Sequence, residues 1–238
     1  MRALVIAHEP DGPATQIEVR LVERGFEVDT HIVTSDYDHP NDAAPFPDLE
    51  PYDLLVPMGS IRSLTDKDAI GSWIHTEIDL VRAAHDADMP VLGICFGNQI
   101  IADALGGAVE LAPITELGWI EIDDGDLPNP VGAGPWLEWH HDRIIPPPGA
   151  EILARTEHAV QLIRIGRTVG TQFHPEVDLA HVANFLDATS DDYLTTYGTT
   201  RERMLADTRA NEAANIAQCH ALVDWYLDDV AFPEPTGH

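Results

Sequence analysis

With 238 residues, 44% of them hydrophobic, the chain can bury one large core or two small ones, and no apolar run approaches the ~20 residues a membrane helix needs. Its 41 acidic against 13 basic residues give a formal net charge of −28, which repels nucleic-acid phosphates and anionic membrane surfaces alike. Met1 leads directly into RALVIAH, too short and strand-like for a secretory signal, and two cysteines cannot build a disulfide framework, so a soluble cytoplasmic protein is expected.

A strand is predicted over Arg2 to His8, then a helix with apolar Ile17, Val19, Leu21 and Val22 that Gly25 stops. Phe26 to Val33 reads as a second strand, the Asp- and Pro-rich Thr34 to Pro51 as a loop, and Asp53 to Met58 as a third strand. Ser72 to Ala87 has a helical pattern, Val91 to Ile94 is a fourth strand, and Phe96 to Leu105 is a helix. Short apolar strands alternating with helices predict an α/β fold: an open, mostly parallel sheet covered on both faces. From Ala108 to Phe173 the grammar changes to strand-like runs (VELA, GWIEI, AVQLIRI, TVGTQF), expected to complete the sheet and add a small antiparallel extension. The tail is helical again, over Leu179 to Leu186 and about Thr200 to Leu227. No internal repeat or linker divides the chain, so one domain over 1–238 is expected, with a helical extension over about 179–230.

Two short motifs carry the chemistry. In Gly93-Ile94-Cys95-Phe96-Gly97 a thiol stands between two glycines where a strand hands over to a helix. A sharp turn there lifts one side chain clear of the sheet, as in the G-x-S-x-G nucleophile elbow. The helix beginning at Phe96 would aim its positive end at Cys95, and its free N–H groups could hold an oxyanion. Far downstream, TQFHPEV reaches His174 as a strand and ends at Pro175, leaving Glu176 to orient the imidazole. A lone cysteine packed as a small hydrophobe, or a histidine at a strand end, would explain either motif alone. Together they supply nucleophile, base and orienter.

GICFGNQ with QFHPEV resembles the class I glutamine amidotransferase family, whose G-x-C-x-G-x-Q pattern is met by Gly93, Cys95, Gly97 and Gln99 and whose His-Pro-Glu by His174, Pro175 and Glu176. MRALVIAHEP, LVERGFEVDTHIV, ELGWIEI and WHHDRIIPPPGAEILART are similar to segments of free-standing members related to the glutaminase half of GMP synthase. The resemblance implies a flavodoxin-like fold and hydrolysis of a side-chain amide, with no cofactor. Cys95 would form a γ-glutamyl thioester, His174 would move the protons, and Glu176 would orient His174. Phe96 would give a backbone N–H to the oxyanion, with Gly59 and Ser60 forming the other side of that hole. Gln99, Trp139 and His140 would line the substrate pocket, and His140 with Asp142 matches a His-x-Asp pattern there. The family's Gly-Gly-Pro is Gly59-Ser60-Ile61 in this chain, so a loop needing φ > 0 at the second position would cost roughly 1 kcal/mol or more with serine.

The substrate class implied is glutamine or a γ-glutamyl compound. No Walker-type ATP loop is present, so a separate synthetase or acceptor subunit is one expectation, a free-standing γ-glutamyl hydrolase another, and a non-catalytic binding or regulatory protein a third. The twelve histidines show no CxxC or HExxH context, so no metal is expected; Asp36, Asp38 and Asp42 read as a solvated acidic run, and Cys219 as packing. The acidic surface, with Lys67 the only lysine, also fits a salty cytoplasm.

Overall fold

The computed structural model describes residues 1–234. Its first half alternates β1 (Arg2–Ala7), α1 (Thr15–Glu23), β2 (Glu27–Ile32), β3 (Leu54–Pro57), a 3₁₀ segment (Leu64–Ile70), α2 (Ile74–Asp86), β4 (Val91–Ile94) and α3 (Phe96–Ala104). The second half holds β5 (Ala108–Ile120), the two-residue β6 (Asp123–Asp124), β7 (Trp136–Ile145), β8 (Glu151–Arg155), β9 (Val160–Ile165) and β10 (Thr168–Thr171), then α4 (Leu179–Asp187), α5 (Asp191–Thr196) and α6 (Arg201–Trp225).

The main sheet runs β2-β1-β3-β4-β10-β9-β8-β6. Pairing is parallel from β2 to β10 and antiparallel beyond it. This is the flavodoxin-like arrangement expected. β1 shows how the sequence builds it. Successive side chains of a strand point to opposite faces. Ala3 and Val5 pack with Ile17 and Leu21 of α1 and Leu222 and Val223 of α6; Leu4 and Ile6 pack with Ile74 and Ile78 of α2 and Ile100 and Ile101 of α3. Both faces are buried, so the strand reads as an unbroken apolar run.

The antiparallel extension is a separate ribbon, β5 paired with β7. VELA and GWIEI, expected as two runs, belong to one strand with an irregular register between Leu111 and Glu116. The sequence pattern does not announce β7, β8 or α5. α6 begins where Thr200 caps the N–H of Arg203 at 3.2 Å. Arg20 of α1 and Arg24, at its C-terminal cap, pair with Asp224 of α6, so the C-terminal helix is tied to the first half. Among the described residues no helix is long and apolar enough to cross a membrane.

β1, β3, β4 and β10 all end at one edge of the sheet, and His8, Gly59, Cys95 and His174 follow them. Ligand sites of open α/β sheets form outside these carboxyl ends.

Candidate active site

Cys95 is the N-cap residue of α3, with φ 51° and ψ −99°. A non-glycine residue there is strained, and the strain is what turns its side chain out between strand and helix. The flanking glycines serve close approach instead. A Cβ on Gly93 would lie 2.7 Å from the carbonyl carbon of Gly97, and one on Gly97 would lie 2.6 Å from that of Pro57. The Gly97 N–H donates to Met58 O at 3.0 Å, so the start of α3 is pinned to the end of β3.

His174 follows β10, and its Nδ1–H donates to Glu176 Oε1 at 2.8 Å. That leaves the other ring nitrogen free. Burial alone would lower the imidazole's pKa; the negative charges of Glu176 and Cys95 outweigh it and hold it well above the usual histidine range. Burial would conversely raise Glu176, and His174 outweighs it, holding the carboxyl below its usual value. The structure thus brings together Cys95, His174 and Glu176, which lie up to 81 positions apart (176 − 95).

Four hydrogen bonds fix the loop that carries this pair. The His174 N–H donates to Leu137 O at 2.8 Å, and the Gln16 N–H to Glu176 O at 3.2 Å. From α6, the buried Asn215 amide donates to Pro175 O at 3.0 Å and to Val177 O at 2.9 Å. Gln172, also buried, donates its amide to Cys95 Sγ at 3.5 Å. Neither Asn215 nor Gln172 was singled out from sequence. Gln172 was within reach of that reasoning, because a residue two before His174 in extended chain faces the same way.

The backbone at Gly59 passes beside both groups: a Cβ there would lie 2.9 Å from His174 Cε1 and 3.8 Å from Cys95 Cβ. Ser60 corrects the expected strain, because among the described residues the non-glycine positions with positive φ are Thr15, Asp88 and Cys95. Its side chain is engaged, donating to Glu9 Oε1 at 3.0 Å and accepting from the Arg62 N–H at 3.1 Å.

Gln99 lies one helical turn after Cys95 and faces the same side of α3. Trp139 and His140 are consecutive in β7 and point to opposite faces. Trp139 packs edge-on to Phe185, which packs in turn on the His174 ring. His140 lies with Glu138 and Asp142 on the buried face. Its Nδ1–H donates to Asp142 O at 2.9 Å, and its Nε2 lies 3.1 Å from both Glu116 Oε2 and Glu138 Oε2. Burial lowers its pKa, but the two carboxylates outweigh this and push it up to about 10. Glu116, Glu138 and His140 have the donor atoms of a small metal site; a protonated His140 offsets one carboxylate charge, and burial holds the Glu138 carboxyl above its usual value. Cys219 is buried in the core with Leu222 and Tyr226, and burial pushes its thiol well up.

Comparison with known proteins follows the same line. A subunit of a glutamine-hydrolysing GMP synthase from Sulfurisphaera tokodaii is 36% identical over 141 residues, 52% of this chain and 75% of that protein. A GMP synthase of Aeropyrum pernix is 44% identical over 96 residues, 37% of this chain, and the match spans only 19% of that protein's length. A glutamine amidotransferase structure from Thermotoga maritima superposes with a TM-score of 0.81 at 22% identity, covering 96% of this chain and 98% of that one. One from Methylobacillus flagellatus gives 0.81 at 20% identity, covering 100% and 98%. Residues 13–185 match the family described as glutamine amidotransferase class-I, and the chain belongs to that family.

Proposed function

We propose that the chain releases ammonia from the side-chain amide of glutamine, or of a related γ-glutamyl compound, through a thioester on Cys95. The observation that carries this is the meeting, at one edge of the sheet, of a cysteine held at φ 51° with a histidine bonded at 2.8 Å to a carboxylate. His174 stands protonated beside Cys95, and the thiolate Sγ attacks the amide carbon. The tetrahedral oxygen is held by the N–H groups of Phe96 and Ser60, which donate to no backbone acceptor among the described residues. His174 then passes its proton to the departing nitrogen, and ammonia leaves as the γ-glutamyl thioester forms. A water molecule, deprotonated by the same imidazole, attacks the thioester and returns the acid and the free thiol. Glu176 keeps the proton on Nδ1 and the ring turned to Cys95. Gln99 and the β7 segment around Trp139 and His140 border the substrate.

The S. tokodaii relative is described as one subunit of a glutamine-hydrolysing GMP synthase. That favours a separate acceptor protein as the destination of the ammonia. The test is ammonia release from glutamine and from a panel of γ-glutamyl amides, with and without cell extract, for the parent and Cys95→Ala. Release abolished by Cys95→Ala is expected, and stimulation by extract supports the acceptor. Release unchanged by Cys95→Ala contradicts the reading, and vigorous release from γ-glutamyl peptides alone, indifferent to extract, replaces the acceptor with a free-standing hydrolase.

A further inference from the structure

His8, at the carboxyl end of β1, and Glu77, in the first turn of α2, form an ion pair that is 0% exposed on both sides. The His8 Nε2 lies 3.0 Å from each Glu77 carboxylate oxygen, and its Nδ1 lies 3.0 Å from the carbonyl oxygen of Gly59. A carbonyl and a carboxylate only accept, so both ring nitrogens donate and the ring is an imidazolium. Such a pair is costly to bury and adds little stability over apolar residues of the same shape. Its position suggests what it is for.

The Gly59 carbonyl and the Ser60 N–H belong to one peptide unit. That unit is trans, since the cis bond is Gly134–Pro135. In a trans peptide the C=O and N–H point in opposite directions, so holding the oxygen from one side aims the N–H to the other. Cys95 and His174 lie beside this peptide: a Cβ on Gly59 would meet His174 Cε1 at 2.9 Å and Cys95 Cβ at 3.8 Å. Glycine at 59 leaves the backbone free to rotate, and an unanchored peptide could turn its carbonyl into the site. The His8 ring also packs edge-on to the ring of Phe96, with centroids 4.8 Å apart, so it touches the residue that supplies the other oxyanion N–H.

We propose that the buried His8–Glu77 pair is a positioning device that holds the Gly59–Ser60 peptide with its N–H aimed at the reacting carbonyl oxygen. It rests on the oxyanion site proposed above. The pair touches no substrate; it acts through the peptide it holds.

The test compares the parent with two double variants. His8→Phe/Glu77→Leu keeps the ring contact, removes both donors and leaves no buried charge unpaired. His8→Asn/Glu77→Gln returns an N–H near the position of Nδ1. Each is assayed for melting temperature, for kcat and KM of ammonia release, and for inhibition by glutamate γ-semialdehyde. The Cys95 thiolate adds to the carbon of the aldehyde C=O group, the proton staying on His174, and the aldehyde oxygen becomes an oxyanion where the tetrahedral one forms. His8→Phe/Glu77→Leu should lose about 10²–10³-fold in kcat, the usual cost of one oxyanion donor, with KM within about threefold. Semialdehyde affinity should fall by the same factor as kcat/KM. His8→Asn/Glu77→Gln should recover most of both. If the first variant does not melt cooperatively, His8→Phe/Glu77→Gln takes its place. A folded variant with near-parental kcat overturns the proposal, as does a fall in kcat that leaves semialdehyde affinity unmoved, or no rescue by the asparagine variant. A parent that releases no ammonia sinks the glutaminase reading and this one with it; an active parent with an indifferent pair sinks this one alone.

Discussion

Gly97→Ala tests how the elbow is built. The added Cβ would lie 2.6 Å from the carbonyl carbon of Pro57 and 3.1 Å from its Cβ, closer still to its oxygen. These are backbone and ring atoms that cannot swing aside, so α3 must retreat from β3 by more than about 1 Å to reach ordinary contact. Overpacking of this kind costs about 1–3 kcal/mol, and the stretched Gly97 N–H to Met58 O bond adds about 1. A total near 3 kcal/mol should lower the melting temperature by about 6–12 °C in a chain of this size. The same retreat carries the Phe96 N–H away from Ser60, and a misplacement of about 1 Å can cost about 10²-fold in turnover. Gly71→Ala is the control, because its Cβ would meet nothing nearer than 3.5 Å. Thermal melts and ammonia release on both variants decide the matter. A Gly97→Ala protein that melts and turns over like Gly71→Ala would refute the close-packing account of the elbow.

Asn215→Leu leaves the carbonyls of Pro175 and Val177 without their buried donor, at about 1–3 kcal/mol each, so it should lower the melting temperature and reduce kcat more than it raises KM; a parental melt contradicts the clamp. His140 titrates near 6.5 when unfolded and about 10 when folded, so its stabilising contribution is complete below pH 6.5 and is lost as pH rises to about 10. His8 and His174 are raised too and act with the same sign, so the melting temperature should fall between pH 7 and 10, and less steeply in His140→Gln; a flat or rising curve in the parent is inconsistent with this. With a net charge of −28, the melting temperature should climb from low to molar KCl as repulsion is screened, and a flat or falling series discards that idea.

The parts of the site that were legible in the sequence are local. GICFG and FHPEV each hold their logic within a few residues, and the apolar runs of β1, β3 and β4 announce strands buried on both faces. β7 hid because its pattern is inverted: its buried face carries Glu138, His140 and Asp142, which pair with one another, with Glu116 and with Ser63 where apolar groups would be expected. His8 and Glu77 are 69 positions apart, and Asn215 reaches back 40 to Pro175, so no window of sequence shows that they meet. Ser60 misled for another reason. Replacing a glycine suggests that φ > 0 was needed, but Ser60 has no positive φ; the strained residue of the site is Cys95, at the turn from β4 to α3.

The central claim is that Cys95 alone is the nucleophile, and active-site labelling tests it most directly. Burial holds the Cys219 thiol neutral, whereas Cys95 stands against His174 at the edge of the sheet. A glutamine-mimicking diazoketone should add once per chain, and peptide mass spectrometry should place the adduct on Cys95. Cys219→Ser should label like the parent, and Cys95→Ala should neither label nor release ammonia. An adduct on Cys219, or ammonia release by Cys95→Ala at the parental rate, would contradict the account.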